Sequence, residues 1–278
     1  MSPFVTDIRP AILAAVDGIK KEVDIAVIGL SGGADSTLCA CLSVSALGAD
    51  NVFGISMPAC SIDDATFNAR SASVAHKLGI NHITLDIQQA VSAVLSAWEE
   101  QVGPIGIHGI SALNTGNTRA RLRMINLYLT CMALGEAHPG KRVRVIGTGN
   151  LSEDYIGYDT KWGDGACDIF PISDFFKKEV YMALDCFTAD GLIEETHIDR
   201  VPSAGLWPGH TDEGELGFTY DEMAPAILYC MRSGKGGCDD HTLRDPDFMK
   251  VVDFVRNRHK ANSHKLRPPG IKTIPGRS

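Results

Sequence analysis

The sequence predicts an α/β fold: an open parallel sheet with helices on both faces. Two observations carry this. A short apolar run at 24–30 (DIAVIGL) passes through a glycine-rich turn at 31–36 (SGGADS) into an apolar, helix-like stretch, and a second strand follows at 51–57. Strand–turn–helix–strand is the building block of a parallel sheet. The alternation then continues down the chain, with no convincing linker, internal repeat or low-complexity tract to interrupt it.

Each element has its own signal. Ile12, Leu13, Val16 and Ile19 recur at helical spacing and give a first amphipathic helix. The helix at 37–47 ends at Gly48, a C-cap. Residues 64–78 read as a helix stopped by Gly79, and 83–87 as a strand. Ile87, Val91, Val94, Leu95 and Trp98 form a helical stripe. A long helix over 118–137 precedes a strand at 143–147. Residues 149–171 are polar, glycine-rich and expected to be loop; 174–184 are helical. Residues 201–217 hold two prolines and four glycines. Few apolar anchors in such a segment suit a mobile lid. The last helix is expected over 246–260, followed by a basic tail. The expected organisation is one domain over 1–278 with a helical C-terminal extension from about residue 220.

Composition narrows the function classes. Of 278 residues, 44% are hydrophobic and 22% charged, enough for one large core. A net charge of −8 argues against a general nucleic-acid binder. No apolar run approaches the ~18 residues of a membrane span, and residues 1–20 lack the basic-then-apolar order of a secretory signal. Eight cysteines without a Cys-x-x-Cys pair argue against a disulfide scaffold or a zinc site, so a reducing cytoplasm is expected. Cys39, Cys131 and Cys186 read as small core residues. The histidines outside the tail show no ligand spacing.

The turn at 31–36 carries the chemistry. Its two glycines let backbone N–H groups turn toward an anion, and a helix N-terminus follows. Ser31 and Ser36 add hydroxyls. Asp35 would repel a phosphate unless a cation lay between them, so the turn points to phosphate plus Mg²⁺. It lacks the Gly-Lys-Ser/Thr ending of a Walker loop and the spacing of a dinucleotide fingerprint. The plain alternative is an ordinary strand–helix turn with Asp35 favoured by the helix dipole.

This six-residue string closely resembles the signature of the PP-loop ATP-pyrophosphatases, which cleave ATP between the α- and β-phosphates and transfer AMP to an acceptor. Longer strings sharpen the match: GTGNLSEDYIGYDTKWGDG at 147–165, DIFPISDFFKK at 168–178, VPSAGLWPGHTDEGELGFTY at 201–220 and SHKLRPP at 263–269. In this order they resemble the NAD synthetases, from about residue 11 to 269. The turn begins at Ser31, too early for the amidase domain of the glutamine-using members, so the resemblance is to the ammonia-dependent form. It implies an adenine-nucleotide alpha-hydrolase-like, Rossmann-like fold. It also implies a C–N ligase reaction: deamido-NAD, ATP and ammonia give NAD, AMP and pyrophosphate through an adenylated carboxylate.

The resemblance also assigns residues. ATP would lie on Gly29, Leu30, Ser31, Gly32, Gly33, Ala34, Asp35 and Ser36, with Thr148 also contacting ATP, Lys177 on its phosphates and Ser203 at the phosphates or metal. Asp35 and Glu153 would hold Mg²⁺. Arg121, Lys161, Asp168, His264 and Lys265 would hold deamido-NAD. Asp164 would sit at the nicotinate end and bind or deprotonate ammonium. Asp35, Lys177 and Asp164 are thus the expected catalytic groups. Taken singly, Glu153 reads as a solvated loop acid, Lys177 and Arg121 as solvent-facing helix residues, and Asp164 as a turn former. Lys178 is the neighbour to distinguish from Lys177. Seven Lys or Arg and no acid follow Asp253, a basic segment on an acidic protein that suits a phosphate clamp. The resemblance implies a homodimer, with the helices around Val91 and Leu127 as interface candidates.

Three positions depart from the pattern: Ala34 replaces a larger side chain, Leu266 a basic one, and Arg70 an acidic one, so the adenine pocket near 57–59 is the least defined part. Two alternatives stay open. One keeps the loop but changes the acceptor to a purine nucleotide or tRNA; the acidic balance opposes tRNA, and the 161–168 string opposes both. The other is a nucleotide sensor without turnover, which retention of Asp35 and Glu153 disfavours.

Overall fold

The computed structural model describes residues 2–59, 63–197, 211–233 and 245–266. Among them, four strands, β1 (Ile25–Gly29), β2 (Val52–Ser56), β3 (Asn81–Thr84) and β4 (Val143–Ile146), pair in parallel in the order β3-β2-β1-β4. The helices in chain order are α1 (Arg9–Glu22), α2 (Ala34–Leu47), α3 (Asp63–Leu78), α4 (Gln88–Val102), α5 (Ala112–Ala137), α6 (Leu151–Ile156), α7 (Lys177–Ala189), α8 (Asp212–Leu216), α9 (Tyr220–Ser233) and α10 (Pro246–Leu266).

A parallel sheet has to be covered on both faces. β1 shows how the sequence does this. Ala26 and Ile28 enter one apolar cluster, with Val16 and Ile19 of α1, Leu38 and Leu42 of α2, and Val180 and Leu184 of α7. Ile25 and Val27 enter the opposite cluster, with Val91 of α4 and Leu122 and Leu127 of α5. Alternate residues of one strand thus feed two layers. α2 lacks a polar face because it is packed against α1, α7 and the sheet. A third cluster joins α6, α9 and α10 through Ile156, Met223, Ile227, Val252 and Val255.

The chain order reverses at β1, which lies between β2 and β4. Open α/β sheets bind ligands at the carboxyl ends of such strands. The turn at 31–36 leaves β1 there.

Several boundaries differ from expectation; α2 starts at Ala34 rather than 37, and α7 runs Lys177–Ala189 rather than 174–184. β3 starts two residues early, although the Leu85 N–H still donates to Ser56 O at 2.8 Å. α5 starts at Ala112 rather than 118, because Ser111 caps it by accepting the Asn114 N–H at 3.2 Å. The stretch 149–171 is not all loop: α6 forms within it. α10 runs to Leu266, so His264 and Lys265 are helical and not part of a tail. Tertiary contacts hold that extra turn and a half: Asn262 Nδ2 donates to Ile156 O at 3.0 Å, and Lys265 Nζ donates to Gly157 O and Asp159 O at 2.7 Å each. Of the expected lid, 201–210 lie outside the described residues. Residues 212–216 form α8, capped by Thr211, whose hydroxyl accepts the Gly214 N–H at 3.2 Å.

Asp24 clamps the entry of β1 to that of β4. Its carboxylate accepts Arg142 N–H at 2.7 Å and the guanidinium at 3.1 and 3.0 Å. The Arg142 hydrogen bonds hold its pKa down to about 2. A lowered carboxyl stabilises the fold above its usual value near 3.8, and this is lost as pH falls toward 2. Asp24→Asn should therefore melt below wild type at neutral pH, with the difference in Tm shrinking as pH falls through about 2. A constant difference across that range would refute the assignment.

Candidate active site

The turn after β1 is held by its own side chains. Ser31 Oγ lies 3.0 Å from Ser36 Oγ and accepts the Gly33 N–H at 3.2 Å. Ser36 Oγ also accepts the Ser31 N–H at 3.3 Å. Gly32 has φ +70°, and a Cβ there would come within 2.9 Å of Arg70 Cβ and 3.0 Å of Ser71 N, so only glycine fits. α2 begins inside the turn with Gly33 as its cap. The first N–H groups of α2 therefore face the same cleft with no helical acceptor.

Asp35 stands in the first turn of α2, Glu153 in α6, and Lys177 at the start of α7. The fold brings them to one point. Lys177 Nζ lies 2.6 Å from Asp35 Oδ2 and 2.9 Å from Glu153 Oε1, and its side chain is only 6% exposed. Burial opposes the lysine charge, but the two carboxylates overcome it and hold Lys177 firmly protonated. Burial pushes the Glu153 carboxyl above the usual range, Lys177 opposes the rise and Asp35 adds to it. Lys178, by contrast, is 49% exposed and meets Asp221 at 3.4 Å.

Asn150 ties the triad together. It caps α6 by accepting the Glu153 N–H at 3.2 Å and donates through Nδ2 to Asp35 Oδ1 at 2.9 Å. Behind Glu153, the Tyr220 hydroxyl donates to Asp212 at 3.0 Å and lies 3.5 Å from Glu153 Oε1. Burial beside these acids keeps the Tyr220 hydroxyl protonated. Tyr158 donates to Glu215 at 2.6 Å. None of Asn150, Tyr158, Asp212 or Tyr220 was singled out from the sequence. Only Asn150 left a readable trace, as an Asn-x-x-Glu capping spacing.

These groups open onto a cleft of about 380 Å³. Of the expected ATP residues, Gly29, Leu30, Ser31, Gly33, Ala34, Asp35, Thr148 and Lys177 line it, as do Glu153 and Asp164. Gly32 and Ser36 support the turn from behind. Ser203 lies outside the described residues. Met57, Pro58 and Ala59 line the cleft at the end of β2.

The expected dinucleotide residues are outside the cleft lining. Arg121 Nε donates to Lys161 O at 3.2 Å, and Lys161 Nζ to His264 O at 2.7 Å. Lys265 faces Asp159 at 3.7 Å. Asp168 accepts the Val145 N–H at 2.8 Å and the Tyr128 hydroxyl at 3.3 Å, beside the bridge that pairs Ile146 with Ile169. Asp164 accepts the Thr160 N–H at 2.9 Å.

Among the described residues, no group of three or more His, Cys, Asp or Glu could hold a metal. Asp35 and Glu153, from separate elements, nevertheless converge on one cation, the Lys177 ammonium. That donor set fits Mg²⁺, which takes one or two carboxylates and completes its shell from phosphates and water.

A polyphosphate cradle at the switch point of a parallel sheet defines a nucleotide-dependent α/β enzyme. The NAD synthase family model matches residues 12–269. An NH₃-dependent NAD⁺ synthetase of Methanococcoides burtonii is 38% identical over 91% of this chain and 90% of its own. One from Methanosarcina acetivorans is 36% identical over 92% of each. Among solved structures, an NMN synthetase from Francisella tularensis superposes with TM-score 0.74 at 28% identity, covering 97% of this chain and all of that one. An NH₃-dependent NAD synthetase from Campylobacter jejuni has the same fold, with TM-score 0.69 at 24% identity over 96% of this chain and 99% of its own. The chain belongs to the NAD synthase family and is a ligase forming a C–N bond.

Proposed function

We propose that this protein amidates deamido-NAD with ammonia, using ATP and releasing AMP and pyrophosphate. The observation that carries this reading is the buried Asp35–Lys177–Glu153 cluster at the edge of the anion-binding turn. The α2 N-terminus and Lys177 hold the phosphates. Asp35 and Glu153 would hold Mg²⁺, which would neutralise phosphate charge. The nicotinate carboxylate then attacks the α-phosphorus and pyrophosphate leaves. Ammonia opens the resulting acyl-adenylate, giving the amide and AMP. Asp164, on the cleft wall, binds ammonium or takes its proton. Arg121, Lys161, Asp168, His264 and Lys265 serve the distal nucleotide of deamido-NAD.

A second reading takes the mononucleotide as acceptor. It is favoured by the likeness to the Francisella NMN synthetase and by the position of Arg121, Lys161, His264 and Lys265 outside the cleft lining. The test is product formation from ATP, Mg²⁺ and either deamido-NAD or nicotinate mononucleotide, each with ammonium or glutamine. NAD from deamido-NAD with ammonium is the expected result. A higher kcat/KM for the mononucleotide would reverse the acceptor. Neither amide nor pyrophosphate would overturn the reading.

We infer further that the protein works as a cytoplasmic homodimer through α4 and α5. Supporting this, Trp98, Ile125, Leu129 and Met132 on these helices are exposed, the last two by 52% and 56%. Exposed apolar groups clustered in this way mark contact surfaces. Among the described residues, no helix is long and apolar enough to cross a membrane. Wild type should sediment as a dimer at micromolar concentration, and the Leu129→Glu/Met132→Glu double variant as a folded monomer. A monomeric wild type would refute the proposal.

A further inference from the structure

The described cleft is lined by four carboxylates, Asp35, Glu153, Asp164 and Asp212, and by three cations, Lys177, Arg119 and Arg123. Lys177 pairs with Asp35 and Glu153 at the edge of the phosphate turn. Arg123 donates from Nε to Met57 O at 3.1 Å, at the end of β2. Arg119 differs: its Nε is buried without a hydrogen bond, and it has no ion pair among the described residues. A buried donor left unbonded is costly, and such orphans in native folds call for an explanation.

The position of Arg119 suggests what the orphan awaits. It lies one turn from Arg123 on the cleft face of α5. Its neighbour Ala120 packs against the loop that carries Asp164: a Cβ at Gly163 would fall 2.9 Å from Ala120 Cβ. The phosphates of ATP already have the α2 N-terminus and Lys177. A carboxylate entering the same cleft meets four acids there and needs a cation of its own.

We propose that Arg119 binds the carboxylate of the acceptor's pyridine ring, and so distinguishes the acid substrate from the amide product. This rests on the amidation reading above. The acid offers two anionic oxygens to the guanidinium fork; the carboxamide offers one neutral oxygen and two donors that guanidinium cannot accept. Arg119 is thus a specificity determinant that holds the substrate and lets the product go.

The test is calorimetric titration of deamido-NAD, NAD and ATP into wild type, Arg119→Gln and Arg119→Lys. Wild type should bind the acid more tightly than the amide. Arg119→Gln should weaken acid binding on the order of 10- to 100-fold, as for a lost charge-assisted hydrogen bond. Its affinities for NAD and ATP should stay within about twofold, which also reports a folded cleft. Arg119→Lys should recover part of the loss, because it restores the charge without the fork. Equal weakening of acid and amide, or a loss confined to ATP, would overturn the proposal, as would a wild type without preference for the acid. Turnover is read separately: a wild type that prefers the acid yet forms no amide removes the amidation reading, not the role of Arg119 in binding.

Discussion

Replacing Asp35 by alanine should abolish both pyrophosphate release and amide formation, with kcat falling on the order of 10³-fold or more. Asp35 is the one group that joins the phosphate turn to the rest of the cluster. It stands in the first turn of α2, takes Lys177 at 2.6 Å and is held by Asn150 at 2.9 Å. Without it a metal would keep a single protein carboxylate, and developing charge at the α-phosphorus would meet a weaker counterion. The fold should survive, because Lys177 keeps Glu153 at 2.9 Å as its partner. Thermal melting and activity therefore separate the two effects. A folded Asp35→Ala enzyme with near-normal turnover would sink the metal assignment and leave Asp35 a structural partner of Lys177.

Lys177→Ala should lower kcat/KM for ATP by about 10²- to 10³-fold, whereas Lys178→Ala should stay within about twofold. The two lysines are adjacent in sequence and opposite in environment. Lys177 is buried between two carboxylates; Lys178 makes an exposed pair with Asp221. Comparable losses in the two variants would show that a general positive field, and not one placed ammonium, serves ATP. A second readout needs no substrate. Burial already raises the Glu153 carboxyl, and Lys177 is the group that opposes that rise. A raised carboxyl stabilises the fold at low pH, and this is lost as pH rises through its folded pKa. Ligand-free Lys177→Ala should therefore lose stability relative to wild type as pH rises from about 4 toward neutrality. A pH-independent difference would mean that Lys177 does not control the ionisation of Glu153.

How much of this was legible in the chain varies by element. β1, the SGGADS turn and α2 were readable because their signals are local: a short apolar run, two glycines and a capped apolar helix. The boundaries that moved were those set by distant partners. α10 gained its end from Asn262 and Lys265 bonding to the backbone at 156–159. α6 was hidden in a glycine-rich stretch because six residues cannot declare a helical period; its capping spacing was the only trace. At the site, Asp35 and the turn were legible from chemistry. Glu153, Lys177 and Asp164 were legible only by resemblance, since each alone reads as an ordinary surface residue. Resemblance named Arg121, which bonds Lys161 O outside the cleft lining, while Arg119, two residues away, lines the cleft; nothing in the local sequence separates the two faces.

By itself the sequence determined the class of fold, the glycine-rich turn after the first strand and the family, and it raised the expectation of a cation beside Asp35. These depend on neighbours within a few residues, where backbone freedom and side-chain type act directly. Only the tertiary structure decided that Lys177 and not Lys178 is buried, that Asn150 couples Asp35 to Glu153, that α10 runs on to Leu266, and that Arg119 lines the cleft without an ion pair among the described residues. The reason is physical. Charges become specific only where burial removes water, and the sheet that excludes water is assembled from segments far apart in the chain.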